Sequence, residues 1–446
     1  MKKLWIASPL AMLLGAAALL SGCGGSSTTA DSGSSGGSSS SGSSSSGSGS
    51  SGSSSGATGT AALVYGCNWL FESDAQTANI EYPDTNAVYW IAALPDTIPS
   101  GDQIQIAGTS ATARYFSFSI YNENGKAEAS ADDAELFGAG STPANAVSPG
   151  QAYTVSVIYS LTASSSGTTL VANPLDISTR APAHKFLVYR LYLPTSGAAD
   201  FGNLPALTYV AASGTRTPLS ATPDQASCNT ILSNIENAES GGSSSSSSSG
   251  GLEPTPAVKP PKMAIYRSTS GRFQNLDVKY MYEKINDTLG DMLIIRGQAP
   301  SVANGAQSPQ VRYWSICSDG AHAPYPVVAC LADQDAMIGS DGYYNVIIST
   351  NTPPSGYQSA FNYLPFGAAA FGRPIYRQLL ASSSFSLSIA ANDLSLDPAS
   401  SMGAYYPGST YCSNSVFSAN VGAGAAAAFS ACQSSEGIGT VPDTGD

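Results

Sequence analysis

Histidine is almost missing from this chain of 446 residues, which contains only His184 and His322. Outside the Ser/Gly-rich segments, the sequence also lacks a Gly-x-Ser-x-Gly elbow, a Walker loop, a His-Glu-x-x-His motif and a dinucleotide fingerprint. Each of these motifs places a nucleophile, a phosphate cradle or metal ligands at a fixed spacing. Their absence leaves a serine hydrolase, a nucleotide enzyme and a zinc protease without support, and we predict no cofactor.

Charged residues are also scarce, at 11% of the chain, and basic ones are the scarcer kind. Without residues 1–22, which carry Lys2 and Lys3, the chain has 16 basic and 31 acidic side chains, a net charge of −15. Such a surface repels phosphate backbones, so we predict no nucleic-acid partner. The abundance of Ser, Gly, Ala, Thr and Tyr is instead typical of secreted β-proteins.

The N-terminal segment has the pattern of an export signal. Lys2 and Lys3 precede an apolar run and a few small residues, which indicates a cleaved signal peptide. The sequence "LLSGC", which ends at Cys23, resembles the bacterial lipobox, and this resemblance implies cleavage before Cys23 and acylation of its thiol and amine. Because Gly24 replaces the Asp of inner-membrane lipoproteins, it also implies lipid anchoring in the outer membrane, facing the periplasm or the cell surface. An ordinary secretory peptide cut elsewhere is the alternative.

Two Ser/Gly-rich segments divide the rest of the chain. Neither can bury apolar surface, so we predict a disordered tether and a linker between two halves of ordinary domain size. We expect proteolysis to cut the linker and to release separately stable halves. The predicted parts are a signal peptide (1–22), the lipidated Cys23 with its tether (23–59), a first β-domain (60–238), a linker (239–262), a second β-domain (263–435) and a tail (436–446).

Six cysteines follow Cys23, and an even number in an exported protein predicts three disulfides. Metal binding is disfavoured because no Cys-x-x-Cys spacing occurs and histidine is so rare. The sequence allows fifteen pairings. Proximity along the chain favours three of them: Cys317 with Cys330, Cys412 with Cys432, and Cys67 with Cys228.

The two halves share four sequence landmarks in the same order, which indicates an internal repeat. The clearest is the strand-like "ARYFSFSIYN" at 113–122, which returns as "VRYWSICSDG" at 311–320. The other pairs are "SGDQIQIAG" (100–108) with "LGDMLIIRG" (289–297), "GQAYTVSVIYS" (150–160) with "DGYYNVIIST" (341–350), and "FLVYRLYLP" (186–194) with "RPIYRQLLA" (373–381).

Each landmark is rich in Ile, Val, Tyr and Phe and is bounded by Gly, Pro, Asn or Asp, as strands are. Phe116, Phe118 and Ile120 alternate with Tyr115, Ser117 and Ser119, so the first three belong in a core. Asn124-Gly125 and Asp319-Gly320 predict hairpin turns. The fold class is therefore all-β, with two tandem antiparallel β-sandwiches of jelly-roll type, and helices are expected only at 222–238 and in "NVGAGAAAAFSACQ" (420–433).

Four segments of the second half stand together: "KYMYEKINDTLGDMLIIRGQAP", "QVRYWSICSDG", "VVACLADQDAMIGSDGYYNVIIS" and "AYYPGSTYC". They resemble a family of uncharacterised bacterial exported lipoproteins. The Arg-Tyr-Phe-Ser strand is also distantly similar to paired cell-envelope domains of unknown function. The resemblance implies β-sandwiches and an envelope location, and it supplies no catalytic residue.

Arginine positions stand out in a chain with so few charges. Arg114 and Arg312 are equivalent in the repeat, and so are Arg190 and Arg377. Their guanidinium groups could form an anion or sugar-acid site in each half. We favour a structural role for them, in which the first pair binds the repeat-equivalent Asp102 and Asp291.

Carboxylates and aromatic residues offer the remaining functional leads. Paired acids could serve a polysaccharide hydrolase, and the candidates are Asp132, Asp133, Glu135, Asp333, Asp335 and Asp341. The 23 tyrosines could include stacking platforms for sugars. We favour a non-catalytic interaction, adhesion or structural module with a glycan or envelope protein as partner; the hydrolase is the alternative.

We expect Cys23→Ser to abolish lipid labelling and to release the protein from membranes, because no segment outside the signal is apolar enough to anchor it. Fatty-acid labelling followed by membrane fractionation measures both effects. Ser26→Ala, three residues further along, is the matched control and should stay on the membrane. A Cys23→Ser variant that fractionates like the wild type would contradict the lipoprotein interpretation.

Overall fold

The computed structural model describes residues 68–69, 71–73, 79–95, 98–122, 124–138, 149–172, 185–194, 204–219, 257–267, 271–303, 309–436 and 439–441. Residues 61–446 belong to one compact unit. Cys23, the Cys67–Cys228 bond and the helix predicted at 222–238 lie outside the described residues. The all-β prediction is confirmed, since strands dominate and the helices are short.

The first half consists of two sheets. One has the strand order β1-β2-β9-β4-β5, and the other has the order β11-β10-β3-β6-β8-β7. The strands are β1 (Phe71–Ser73), β2 (Ala87–Leu94), β3 (Gln103–Thr109), β4 (Tyr115–Tyr121), β5 (Ala127–Asp132), β6 (Ala152–Tyr159), β7 (Ser164–Ser166), β8 (Thr169–Ala172), β9 (Lys185–Tyr192), β10 (Ala206–Val210) and β11 (Arg216–Pro218), with the helix α1 (Asp133–Phe137) after β5.

The second half repeats this plan. One sheet has the order β13-β14-β21-β17-β18, with β15 also paired to β21, and the other has the order β20-β19-β16-β22. The strands are β12 (Ala257–Lys259), β13 (Ala264–Ile265), β14 (Val278–Tyr282), β15 (Ile285–Asn286), β16 (Met292–Gln298), β17 (Tyr313–Gly320), β18 (Val327–Ala332), β19 (Tyr343–Ser349), β20 (Asn362–Pro365), β21 (Phe371–Leu379), β22 (Gly408–Cys412) and β23 (Gly439–Val441).

The four sequence landmarks occupy equivalent positions in the two halves. They fall on β3 and β16, on β4 and β17, on β6 and β19, and on β9 and β21. The equivalence extends to a parallel pair that the prediction of purely antiparallel sheets missed: β6 pairs with β8, and β19 pairs with β20. The halves are therefore two copies of one sandwich plan.

Each sandwich has its own apolar core between its two sheets. Phe116, Phe118 and Ile120 of β4 pack in the first core, as their alternation predicted. Trp314 and Ile316 hold the matching positions of β17 in the second core. The hydrophobic periodicity of the repeated strand is therefore enough to place its core-facing side.

The second sandwich carries three short helices, α2 (Pro398–Met402), α3 (Asn414–Asn420) and α4 (Ala425–Ser435). Met402 of α2 packs in the second core, while α3 and α4 cover the outer face of the sandwich. Phe417 of α3 and Ala428 of α4 pack on Met292 and Ile294 of β16. A Cys412–Cys432 disulfide ties α4 to β22, and Cys317–Cys330 joins β17 to β18, as predicted. Among the described residues, no helix has the length and apolarity needed to cross a membrane.

One predicted turn is wrong. Asn124 and Gly125 do lie in the hairpin between β4 and β5, where Gly125 has a φ of 73°. Asp319 and Gly320, however, remain inside strand β17, and Asp319 is fully buried. The chain turns only after them, because Gly320 still pairs with Gly372 of β21.

Candidate functional site

The face of β4 that points away from the first core is also buried. All seven residues from Tyr115 to Tyr121 are buried, and so are all eight residues of β9. Tyr115 packs against Val278, Tyr313 and Leu379 of the second half. One sheet of each sandwich therefore lies in the middle of the molecule, where it is covered on one face by its own partner sheet and on the other by the opposite sandwich.

Two tyrosines cross this interface in opposite directions. The Tyr115 hydroxyl of the first half donates to Asp277 Oδ2 of the second half at 2.6 Å. The Tyr313 hydroxyl, at the equivalent repeat position, donates to Asp84 Oδ2 of the first half at 2.8 Å. Burial raises the pKa of Asp277 to about 7. The repeat thus produces a reciprocal interface instead of two independent faces.

The arginines that precede these tyrosines follow the same rule. Arg114 forms an ion pair with Asp333 of the second half, and Arg312 donates from Nη1 to both carboxylate oxygens of Asp133 in the first half at 2.9 Å. Arg312 and Asp133 are almost completely buried, with side-chain exposures of 0% and 1%.

The predicted acid partners of these arginines are therefore wrong. Asp102 binds the Tyr209 hydroxyl and the Ala212 amide, and Asp291 accepts from the Asn414 amide at 2.7 Å. The structural role expected for Arg114 and Arg312 is seen, but their acids come from the opposite sandwich. The pattern within one repeat therefore does not predict these partners.

The second arginine pair reaches backbone carbonyls across the interface. Arg190 donates to the Phe273 carbonyl at 2.8 Å, and Arg377 donates to the Tyr82 carbonyl at 2.7 Å. Phe273 and Tyr82 have left-handed backbones, with φ values of 50° and 57°. Such conformations are rare for bulky residues, so the arginines hold two unusual loops of the opposite half in place.

These two loops enclose a cavity of about 120 Å³ that opens to solvent. Both Arg190 and Arg377 line it, although each is only 2% exposed. Seven of the described lining residues are aromatic, and they come from both halves: Tyr82, Tyr89, Tyr192, Tyr266, Phe273, Tyr280 and Tyr282.

Positive charge predominates in the lining. Its one described acid, Glu81, lies 3.8 Å from the Arg272 guanidinium, and this pair is locally neutral. Both terminal nitrogens of Arg190 are engaged, by Ser119, Tyr121 and Phe273. Arg377 differs, because its Nη1 is buried and has no hydrogen-bond partner among the described residues.

Acids and tyrosines near Arg377 stabilise its positive charge. Burial disfavours the charged guanidinium, but Asp319, Asp84, Tyr89 and Tyr192 together more than offset this, and the pKa of Arg377 is raised. Burial in turn raises the pKa of Asp319 to about 8. The cavity therefore presents one compensated guanidinium with a spare donor beside a wall of tyrosines.

The acidic candidates do not converge on the cavity. Asp132 caps α1 through the Glu135 amide at 2.8 Å, and Asp133 binds Arg312. Asp333 accepts from the Trp314 amide, while Asp341 forms an ion pair with Arg296. These carboxylates stabilise the fold at separate places.

The repeat positions of Arg190 and Arg377 identified both cavity arginines from the sequence, but the sequence did not predict the loops that surround them. Residues 80–83 and 271–275 have neither strand periodicity nor a turn motif. The available signal was the clustering of Tyr and Arg on the non-core face of the repeated strands. Tyrosine and arginine side chains grouped on one strand face of a chain with few charges indicate that this face is buried against another part of the protein.

No family model matches this chain, and no curated protein matches it. Among solved structures, it is similar to an uncharacterised protein from Burkholderia cenocepacia, at 12% identity and a TM-score of 0.44, over 71% of this chain and 80% of that one. It is also similar to a protein from Vibrio parahaemolyticus, at 11% identity and a TM-score of 0.37, over 73% and 88%. Likenesses at this level carry no functional argument.

We expect Arg312→Met to lower the free energy of unfolding by about 3–5 kcal/mol, because Asp133 would stay buried without its partner. Arg114→Met is the matched control. It should lose less, about 1–3 kcal/mol, since Arg114 is 10% exposed and Asp333 keeps the Trp314 amide. Denaturant unfolding curves measure the free energy of unfolding of both variants. Adding Asp133→Asn to Arg312→Met should restore part of the lost stability. An Arg312→Met variant as stable as the wild type would contradict the structural role.

Proposed function

We propose that this protein is a lipid-anchored, non-catalytic binding module of the cell envelope, and that it holds a small organic anion in the cavity between its sandwiches. One observation carries the proposal. Arg377 Nη1 is buried at the cavity and has no hydrogen-bond partner among the described residues. A buried polar group in this state costs about 1–3 kcal/mol, and more when it is charged.

An anionic oxygen would remove that cost. Hydrogen bonds between a guanidinium and a carboxylate are about twice as strong as neutral ones. The other terminal nitrogen, Arg377 Nη2, already donates to the Tyr82 carbonyl, while the buried Tyr82 hydroxyl has no hydrogen-bond partner among the described residues. The spare Nη1 is thus a preformed donor for a ligand atom.

A binding role fits the lining better than catalysis. A glycosidase needs two carboxyl groups on either side of the scissile bond. The described lining has a single carboxylate, Glu81, and it lies beside Arg272. The protein is thus an interaction module whose binding surface is the cavity.

A lipid anchor at Cys23 would place the cavity where it can meet a diffusing ligand. A lipid on Cys23 followed by the Ser/Gly-rich residues 24–59 would hold the sandwiches near the outer membrane but off its surface. The position suits capture of a ligand that diffuses through the periplasm or along the cell surface.

We expect small organic anions such as acetate, benzoate or glutarate to raise the melting temperature of the wild type, and Arg377→Lys to lose this effect. Lysine keeps a cation near Asp84 and Asp319 but removes the Nη1 donor. Loss of one charge-assisted hydrogen bond, about 1.5–3 kcal/mol, corresponds to roughly 10- to 150-fold in affinity.

Arg114→Lys is the matched control, because it alters an interface arginine that does not line the cavity. It should keep the response of the wild type. If none of the anions raises the wild-type melting temperature, the proposed function is wrong.

A further inference from the structure

We infer that the ligand of the cavity is an aromatic monocarboxylate, whose carboxylate binds Arg377 and whose ring lies among the tyrosines. This inference rests on the proposed function, since it names the class of anion that the same site takes. It follows from the number of free donors, the charge around them, the nature of the walls and the size of the space.

The free donors suit one singly charged group. Arg190 spends its terminal nitrogens on Ser119, Tyr121 and Phe273, and Arg272 lies beside Glu81. Among the buried atoms of the described lining, Arg377 Nη1 is a terminal guanidinium nitrogen without a partner, and the Tyr82 hydroxyl also has none. A phosphate dianion needs several donors around its three or more oxygens, whereas one guanidinium branch satisfies a carboxylate oxygen.

The electrostatic surroundings lead to the same choice. Asp84 and Asp319 act on Arg377 strongly enough to stabilise its positive charge. The carboxylate charge of Asp84 would repel a dianion in this partly buried space, where screening by solvent is weak. A monoanion gains the guanidinium contact with half of that repulsion.

The walls favour a flat, apolar ring. Tyr280 lies beside Arg377, with its ring centroid 6.0 Å from the guanidinium carbon, and Tyr82, Tyr89 and Tyr282 stand nearby in the lining. Ile80, Pro83, Ile91, Val188 and Ile375 add aliphatic surface to the lining. Aromatic pairs add about 0.5–1.5 kcal/mol beyond their buried area. A sugar ring would need a partner for each hydroxyl, and the described lining has few unused polar groups.

The space matches one ring. A dry cavity of about 150 Å³ is enough to bind benzene. This cavity is close to that size, at about 120 Å³, and it opens to solvent, so a substituent can project outward. Long aliphatic or multi-ring ligands would leave most of their apolar surface in water.

Titration calorimetry on the full chain separates the possibilities. The probes are benzoate, acetate, inorganic phosphate and benzyl alcohol, so that the ring and the charge are varied independently. We expect benzoate to bind about tenfold or more tightly than acetate, because only benzoate adds aromatic contacts. Phosphate and neutral benzyl alcohol should bind more weakly than benzoate.

Two variants locate the benzoate. Arg377→Lys should weaken benzoate binding about tenfold or more, while Arg114→Lys should leave it unchanged. Val188→Phe, which fills the cavity with a ring of its own, should also abolish binding. Melting curves in the absence of ligand show that each variant is folded.

The remaining outcomes test the aromatic ligand and the anion site separately. If acetate or phosphate binds as tightly as benzoate, the aromatic inference is overturned and the anion site of the proposed function stands. If benzyl alcohol binds as tightly as benzoate, or if no anion binds the wild type, both are overturned. Benzoate binding that survives both Arg377→Lys and Val188→Phe places the ligand elsewhere and also overturns the inference.

Discussion

The structure depends on burying the second face of the repeated strand. In β4 and β17, one face is apolar and fills a sandwich core, while the other presents tyrosines, serines and the flanking arginines. Hydroxyl and guanidinium groups can leave water only if they find partners. Each sandwich supplies those partners to the other, and the requirement fixes how the two halves meet.

The contacts between the two sandwiches are reciprocal. Because the halves share one plan, a contact from the first to the second is matched by an equivalent contact in return. Tyr115 and Tyr313 both reach acids of the opposite half, and Arg190 and Arg377 both reach its loop carbonyls. The symmetry is incomplete at the second arginine pair, where both terminal nitrogens of Arg190 have partners and Nη1 of Arg377 has none among the described residues. We propose that binding has developed at this departure from symmetry.

The sequence predicted the strands, the repeat and two disulfides because these depend on local pattern. Alternation places Phe116 and Phe118 in a core, and short separations favour Cys317 with Cys330. The ion-pair partners could not be predicted, since Asp133 and Asp333 reach the arginines only when the sandwiches meet. The same holds for the cavity: Phe273 and Tyr82 acquire their roles through contacts with arginines that lie 83 and 295 positions away in the sequence. Periodicity carries no information about such contacts.

The central claim is that the two sandwiches form one cooperative unit, although each has a core and the sequence suggested separable domains. Native-state hydrogen exchange tests it most directly. The backbone amides of β3 and β16 report on the two cores separately, and neither strand lies at the interface between the sandwiches. We expect the slowest amides of both strands to exchange with the same free energy of opening, because losing either sandwich exposes the buried arginines, acids and tyrosines of the other. If the amides of one core exchange fully while those of the other stay protected, the sandwiches unfold independently and the account is contradicted.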